Sequence, residues 1–273
     1  MADFENKEFD PKAAAEARKA EMAGMNEQIN QRLKEIFSGE RFKEYLELSS
    51  RLPRYSVNNQ LLIMSQEPDA VMCQSFEKWK DAGRFVKKGE KGIRIMAPYK
   101  YKDITAFKPS SIFDISQTDG DTKPFIGGPE LLDDQVKGMN DLVCELGSKD
   151  LKDFEKVSAA YIVSAYFRQD TQDVPIESVK EWAEGKDNVD LRSCLDVIRR
   201  SAADIISRVE EKIENRDVDK EIQDFVSEYG DELPFDVNPG KTSVIADLAK
   251  NKECADAEKS ENKGITSTDR GAI

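Results

Sequence analysis

The stretch Gly83-Arg-Phe-Val-Lys-Lys-Gly-Glu-Lys-Gly-Ile-Arg-Ile-Met-Ala-Pro98 is where the chain stops reading as helix. Arg84-Phe85-Val86 and Ile93-Arg94-Ile95-Met96-Ala97 have the short apolar and β-branched character of strands. The Lys87-to-Gly92 segment between them holds two glycines for a turn. This pattern predicts a β-hairpin. Tyr99 and Tyr101 alternate with Lys100 and Lys102 and extend the second strand, and Ser111 to Ile115 reads as a further strand. Of the aromatic residues here, Phe85 is the one expected to be buried.

Helices flank this small sheet on both sides. Asp10 followed by Pro11 is a helix start. Met22, Met25, Ile29, Leu33, Ile36 and Phe37 then recur at three- and four-residue steps until Ser38-Gly39. A short helix carries Phe42, Tyr45, Leu46 and Leu48 and ends at Pro53. The next begins at a Ser56 cap and carries Leu61 to Ile63. Phe76 to Ala82 reads as one or two helical turns. Beyond a Gly/Pro/Asp-rich stretch, helices are expected from Pro129 to Leu146, from Leu151 to Tyr166, over 176–184 and from Leu191 onward. In the last of these, Leu191, Leu195, Ile198, Ala202, Ile205 and Val209 form a seam of alternating fours and threes, read as a packed bundle helix. Cys144 and Cys194 fall on apolar helical faces and are expected in the core.

The fold class is therefore α+β: N-terminal helices and a small antiparallel sheet, then a mainly helical region and a disordered acidic tail. The boundaries read from composition are a helical extension at 1–39, an α+β domain at 40–118, a linker at 119–129, a helical region at 130–229 and the tail at 230–273.

Charge and composition remove several function classes. The 273 residues include no histidine and carry a net charge of −13. No His-based triad, His general base or His-ligated metal site can be written, so no catalytic residue, metal or cofactor is expected. Cys73, Cys144, Cys194 and Cys254 are scattered without a Cys-x-x-Cys pair, which suits a reduced, cytoplasmic protein. No apolar h-region opens the sequence, and no run approaches the about 18 apolar residues of a membrane span, so no membrane partner is expected. The spacing of Gly83 and Gly89 lacks the Lys-Ser or Lys-Thr of a phosphate loop. Asp114, Asp119 and Asp121 lack the closing glutamate of a calcium loop.

Against the acidic background one segment is basic. Residues 41–102 hold thirteen basic and seven acidic residues, a local charge of +6 that leaves −19 for the rest. Aromatic residues are interleaved with these cations, and cations for phosphates beside rings for bases make a single-stranded nucleic-acid surface. The candidate contacts are Arg54, Tyr55, Asn58, Asn59, Trp79, Arg84, Lys87, Lys88, Lys91 and Arg94. Asn58 and Asn59 stand at a helix start, where free backbone N–H groups meet anions. Composition alone reads the same residues as a solvated lysine-rich hairpin over an aromatic core, with the asparagines as capping and solvated groups.

Three stretches carry a family resemblance. Tyr55-Ser-Val-Asn-Asn-Gln-Leu-Leu-Ile-Met64, Phe76-Glu-Lys-Trp79 and the segment from Gly83 to Pro98 resemble the N-terminal domain of ArdC-like antirestriction proteins. Phe113-Asp-Ile-Ser-Gln-Thr118 is similar to the segment that follows in their LtrC-like relatives. The resemblance implies an N-terminal domain that binds single-stranded DNA, in an anti-defence protein of a phage, plasmid or conjugative element. In those relatives a zinc metallopeptidase-like domain follows. Here Phe154 to Phe167, Glu181-Trp-Ala183 and Ser193 to Ile206 resemble the helices after its zinc helix. Little remains between Leu146 and Asp153 to hold the zinc motif, and Val157 stands where the family places an acidic ligand. The resemblance thus implies a truncated, non-catalytic remnant. Charge alone points to another function: an acidic protein that mimics DNA and occupies the basic cleft of a host nuclease, restriction enzyme or CRISPR effector.

Overall fold

The computed structural model describes residues 10–37, 39–101, 104–120 and 127–229. The expected tail at 230–273 with Cys254, Ser38, Lys102 and residues 121–126 of the expected linker lie outside the described residues. The chain divides into two compact units, Met1–Glu211 and Lys212–Ile273. The described part of the second is the end of one long helix.

The first unit opens with α1 (Pro11–Ile36), α2 (Glu40–Arg51) and α3 (Val57–Gln66). Asp10 caps α1 by accepting from the Lys12 and Ala13 amides at 2.9 and 3.3 Å. Only the second half of α1 buries a stripe, Met25, Ile29, Leu33 and Ile36, as the residue spacing predicts. Within the helical layer, the Gln60 side chain accepts from the Tyr45 hydroxyl at 2.8 Å and donates to Ser49 Oγ and the Leu52 carbonyl at 3.1 and 3.0 Å. Each of these buried polar groups is thereby satisfied, which is the condition for keeping them in a core.

The strands are β1 (Cys73–Gln74), β2 (Phe85–Val86), β3 (Ile93–Tyr101), β4 (Ile104–Asp114) and β5 (Thr118–Asp119), with α4 (Phe76–Asp81) between the first two. All pairings are antiparallel. One sheet has the order β1-β4-β3, and β2 pairs with β5 in a separate two-stranded ribbon. This corrects the expected hairpin: β2 and β3 flank the Lys87–Gly92 turn but do not pair with each other. Phe85 lies opposite Asp119 and Ile93 opposite Ile112. As a result Phe85 is 59% exposed, not buried.

β3 lies at the edge of its sheet, and α3 occupies that edge with side-chain amides. Asn59 Nδ2 donates to the Met96 carbonyl at 3.0 Å, and Asn59 Oδ1 accepts from the Met96 amide at 2.9 Å. One turn-pair further along the helix, Gln66 Nε2 donates to the Arg94 carbonyl at 2.9 Å and Gln66 Oε1 accepts from the Arg94 amide at 2.8 Å. The two carboxamides are seven residues apart and so project from one helix face. Each does what an adjacent strand would do, pairing an N–H and a C=O of the same residue.

After the sheet come α5 (Asp133–Cys144), α6 (Asp153–Tyr166), α7 (Ile176–Ala183) and α8 (Asn188–Tyr229), with a short tight turn of helix over Glu145–Ser148. The α8 seam Leu191, Leu195, Ile198, Ala202, Ile205 and Val209 is buried throughout. Phe37, Phe42, Phe154 and Trp182 form an aromatic cluster with centroid spacings of 5.5–5.8 Å that ties α7 to α1, α2 and α6. Cys194 is buried as expected. Cys144 is exposed, a correction: it sits at the last position of α5, on the side turned away from Met139 and Leu142.

Replacing Asn59 tests the edge clamp. Asn59→Ala leaves the buried Met96 N–H and C=O without partners, at a cost of about 2 kcal/mol. Gln66→Ala, where water can replace the lost amide, costs less than about 1 kcal/mol. Urea unfolding of the two variants checks both the size and the order.

Candidate nucleic-acid interface

The segment Phe113 to Thr118 holds the basic turn in place. Asp114 is 1% exposed; its Oδ1 accepts from the Val71 and Met72 amides at 2.8 and 2.9 Å, and its Oδ2 from the Ser116 amide at 2.9 Å. Gln117 Oε1 accepts from the Asp114 amide at 3.0 Å, while its Nε2 donates to the Lys91 carbonyl and to Glu90, both at 2.9 Å. The Lys87 amide donates to the Gln117 carbonyl at 2.9 Å. Trp79 Nε1 donates to the Phe113 carbonyl at 2.8 Å. Arg84 clasps the far end through Nε to Thr118 Oγ1 at 2.9 Å, Nη2 to the Thr118 carbonyl at 3.0 Å and Nη1 to the Gly120 carbonyl at 2.9 Å. The Lys87–Gly92 turn is thus strapped to a buried carboxylate and carboxamide. Gly89, at φ +94°, meets the left-handed requirement of its tip.

The ten candidate residues separate under this geometry. Trp79 is fully buried, so no face of it is open to a base. Arg84 and Asn59 are interior and engaged as described. Arg94 lies between Glu21, 2.7 Å from its Nε, and Ser111 Oγ, 2.7 Å from its Nη1. Trp79, Arg84 and Asn59 are corrections to a nucleic-acid reading: they are buried and their polar groups hold the domain together. Arg94 is engaged in the same way but keeps a side chain 40% exposed. Tyr55 is half-buried, and its hydroxyl donates to the Cys73 carbonyl at 2.8 Å. Asn58 is half-buried beside a hollow of about 370 Å³ that Arg192 and Asp196 also line, and its buried Oδ1 makes no hydrogen bond.

Lys88 and Lys91 are exposed on the strapped turn. Lys87 stands with them, its Nζ donating to the Ser116 carbonyl at 2.8 Å. Arg54, 81% exposed at the side chain, is separate from that turn. It stands at the mouth of a cavity of about 420 Å³ lined also by Tyr55, Cys73, Gln74, Tyr166 and Glu210. Glu210 accepts from Arg54 at 3.3 Å and from the Tyr166 hydroxyl at 2.6 Å. Burial, and then the bond to Glu210, push that hydroxyl's pKa up, so it remains a proton donor.

Exposed rings and cations outside the candidate set complete the surface. Phe76, Phe85, Tyr99 and Phe107 are 50, 59, 40 and 55% exposed. Lys78, Lys80, Lys100 and Lys108 are exposed as well. The strand alternation from Tyr99 to Lys102 was the sequence signal for part of this set. Phe107 and Lys108 gave no comparable signal.

Among the described residues neither buried thiol has the environment of a poised nucleophile. Burial raises the thiol pKa values of Cys73 and Cys194, and neighbouring carboxylates raise them further. Among the described residues no group of three or more Cys, Asp or Glu converges as a metal site. No helix among them is long and apolar enough to cross a membrane.

Part of the chain is similar to known proteins. Residues 23–123 match the family model of the N-terminal domain of anti-restriction factor ArdC. The match begins within α1 and takes in every strand described above. An uncharacterized protein of Bacillus anthracis, pXO2-81, is 32% identical over 96 residues, which are 35% of this chain and 16% of that protein. The chain therefore spans about a sixth of that relative's length. The Mn(II)-bound crystal structure of the antirestriction protein ArdC from plasmid R388 aligns over 60% of this chain and 97% of that one, at 12% identity and a TM-score of 0.35.

The interior position of Trp79 has a direct test. Trp79→Phe removes the bond to the Phe113 carbonyl and part of the ring volume, and lowers the unfolding free energy by about 2 kcal/mol. Binding of nucleic acid per folded molecule stays unchanged. Thermal melting and titration of the same sample separate the two effects.

Proposed function

Taking residues 23–123 as an ArdC-type N-terminal domain, we propose that this chain is a non-catalytic, single-stranded-DNA-binding antirestriction protein of a mobile element. The observation that carries the reading is the strapped turn. In a protein of net charge −13, a turn held by Asp114 and Gln117 presents Lys88 and Lys91 to solvent beside Lys87. Holding the backbone in advance means that binding a polyanion orders fewer groups, and mutual repulsion among the ammonium groups is relieved when phosphates approach. Phe85, exposed in β2, lies two residues before Lys87 at the start of the turn. Phosphate and base contacts can therefore come from one short segment.

The acidic remainder keeps the affinity local. A charge of −19 outside residues 41–102 repels phosphate over the rest of the surface, so a strand is drawn to the basic segment only. The non-catalytic part of the proposal rests on the sequence, which has no imidazole to ligate a metal or move a proton. In a cell the protein would cover entering or displaced single strands.

Fluorescence anisotropy with a labelled single strand across a salt series tests this. The wild-type protein binds, with log K falling linearly in log salt. Lys88→Ala with Lys91→Ala weakens binding and flattens the slope by about 1.4, at about 0.7 for each phosphate contact on a single strand. Absence of binding at low salt, together with tight binding to a basic nuclease, would overturn the reading in favour of a DNA-mimic inhibitor.

A further inference from the structure

The free end of the β3–β4 ribbon has a construction that the strapped turn does not share. β1 pairs only with Phe113 and Asp114, so from Ala97 and Lys108 outward the sheet is two strands wide. Residues directly opposite share a face, and successive residues alternate. Tyr99 lies opposite Ala106 and Ala97 opposite Lys108, which puts Tyr99 and Lys108 on one face. Pro98 lies opposite Phe107 and Lys100 opposite Thr105, which puts Phe107 and Lys100 on the other. Each face thus carries one aromatic ring and one lysine in the diagonal position, a separation that long side chains can reach across. On the first face Lys108 Nζ stands 5.8 Å from the Tyr99 ring centroid.

Each edge of this ribbon is interrupted by a proline. The Met96 amide and carbonyl point outward, because both are taken by Asn59. Pro98 has the same parity on β3, and Pro109, opposite Met96, faces outward on β4. Neither proline has an N–H to offer, which interrupts the outward donor row on each edge and disfavours strand addition. The faces remain, and both rings are exposed, Tyr99 at 40% and Phe107 at 55%.

We propose that residues 97–100 and 105–108 form a two-faced blade for single-stranded nucleic acid, each face taking one base on its ring and the adjoining phosphate on its lysine. This rests on the single-strand reading above and adds a second contact region to it. Charge selects the occupant: a ring flanked by a lysine on each side of a thin ribbon suits a stacked, anionic polymer. A strand that passes from one face of this ribbon to the other can place successive bases on the two rings.

A single strand carrying a fluorescent aminopurine provides the test, with the full chain throughout. Wild-type protein binds the strand and changes its fluorescence as the base stacks. Tyr99→Ala and Phe107→Ala each weaken binding by about fivefold to about a hundredfold, abolish the fluorescence change together, and leave the salt slope as it was. Tyr99→Phe retains both signals, and Phe107→Leu, which keeps apolar bulk in the strand, still loses the Phe107 part of the stacking signal. Lys100→Ala with Lys108→Ala flattens the slope by about 1.4. If wild type binds and responds to Lys88→Ala with Lys91→Ala, while the folded ring variants bind and report as wild type does, the blade is refuted and the strapped turn stands. If wild type binds no single strand, both proposals fall.

Discussion

A strand at the edge of a sheet exposes main-chain groups that need partners, and here two carboxamides on a helix supply them. Asn59 and Gln66 pair with Met96 and Arg94 as a neighbouring strand would, and so lock α3 against β3. The helical layer and the sheet are joined at that seam by directional bonds rather than by apolar contact alone. Hydrophobic burial sets how much surface is covered but is non-directional. The clamp sets which residue of β3 meets which turn of α3. It also stops at Met96, and beyond it the ribbon runs out with both faces open.

The same division between engaged and free polar groups runs through the basic segment. Arg84, Arg94 and Asn59 have the composition of nucleic-acid contacts, yet their donors go to carbonyls, hydroxyls and a carboxylate of the domain itself, and the Asn59 oxygen accepts from the Met96 amide. Removing Arg84 or Asn59 would leave buried groups unpaired, a cost of about 1–3 kcal/mol each. Lys88, Lys91, Lys100 and Lys108 have no such structural duty at the sheet. The family resemblance and the local charge together direct attention to the segment, and the hydrogen-bond pattern divides it into scaffold and surface.

Much of the helical architecture was legible. The Ser56 cap, the stripe from Met25 to Ile36 and the seam from Leu191 to Val209 depend on local spacing, and all three are present. Strand pairing was not legible, because partners were chosen by residues far away. Two glycines between short apolar runs favour a hairpin, but Arg84 bonds to Thr118 and Gly120, and Gln117 pulls the turn toward β5. That pairing turns Phe85 outward. Trp79 and Arg84 were misplaced for the same reason: a tryptophan on a six-residue helix and an arginine before a turn look alike whether they face solvent or Phe113 and Thr118. Cys144 was placed in the core by periodicity, but α5 ends at that residue.

On the proposed reading, single-stranded DNA meets the groups the scaffold leaves free, on the Lys87–Gly92 turn and the outer β3–β4 ribbon. Hydrogen exchange of the full chain, with and without a saturating single strand, tests it most directly. Added protection is expected in peptides covering 85–92, 97–100 and 105–108, with the exchange of α3 and of the α8 seam unchanged. Protection confined to the acidic helices, or spread across α5 and α8 while the turn and ribbon exchange as before, would contradict it.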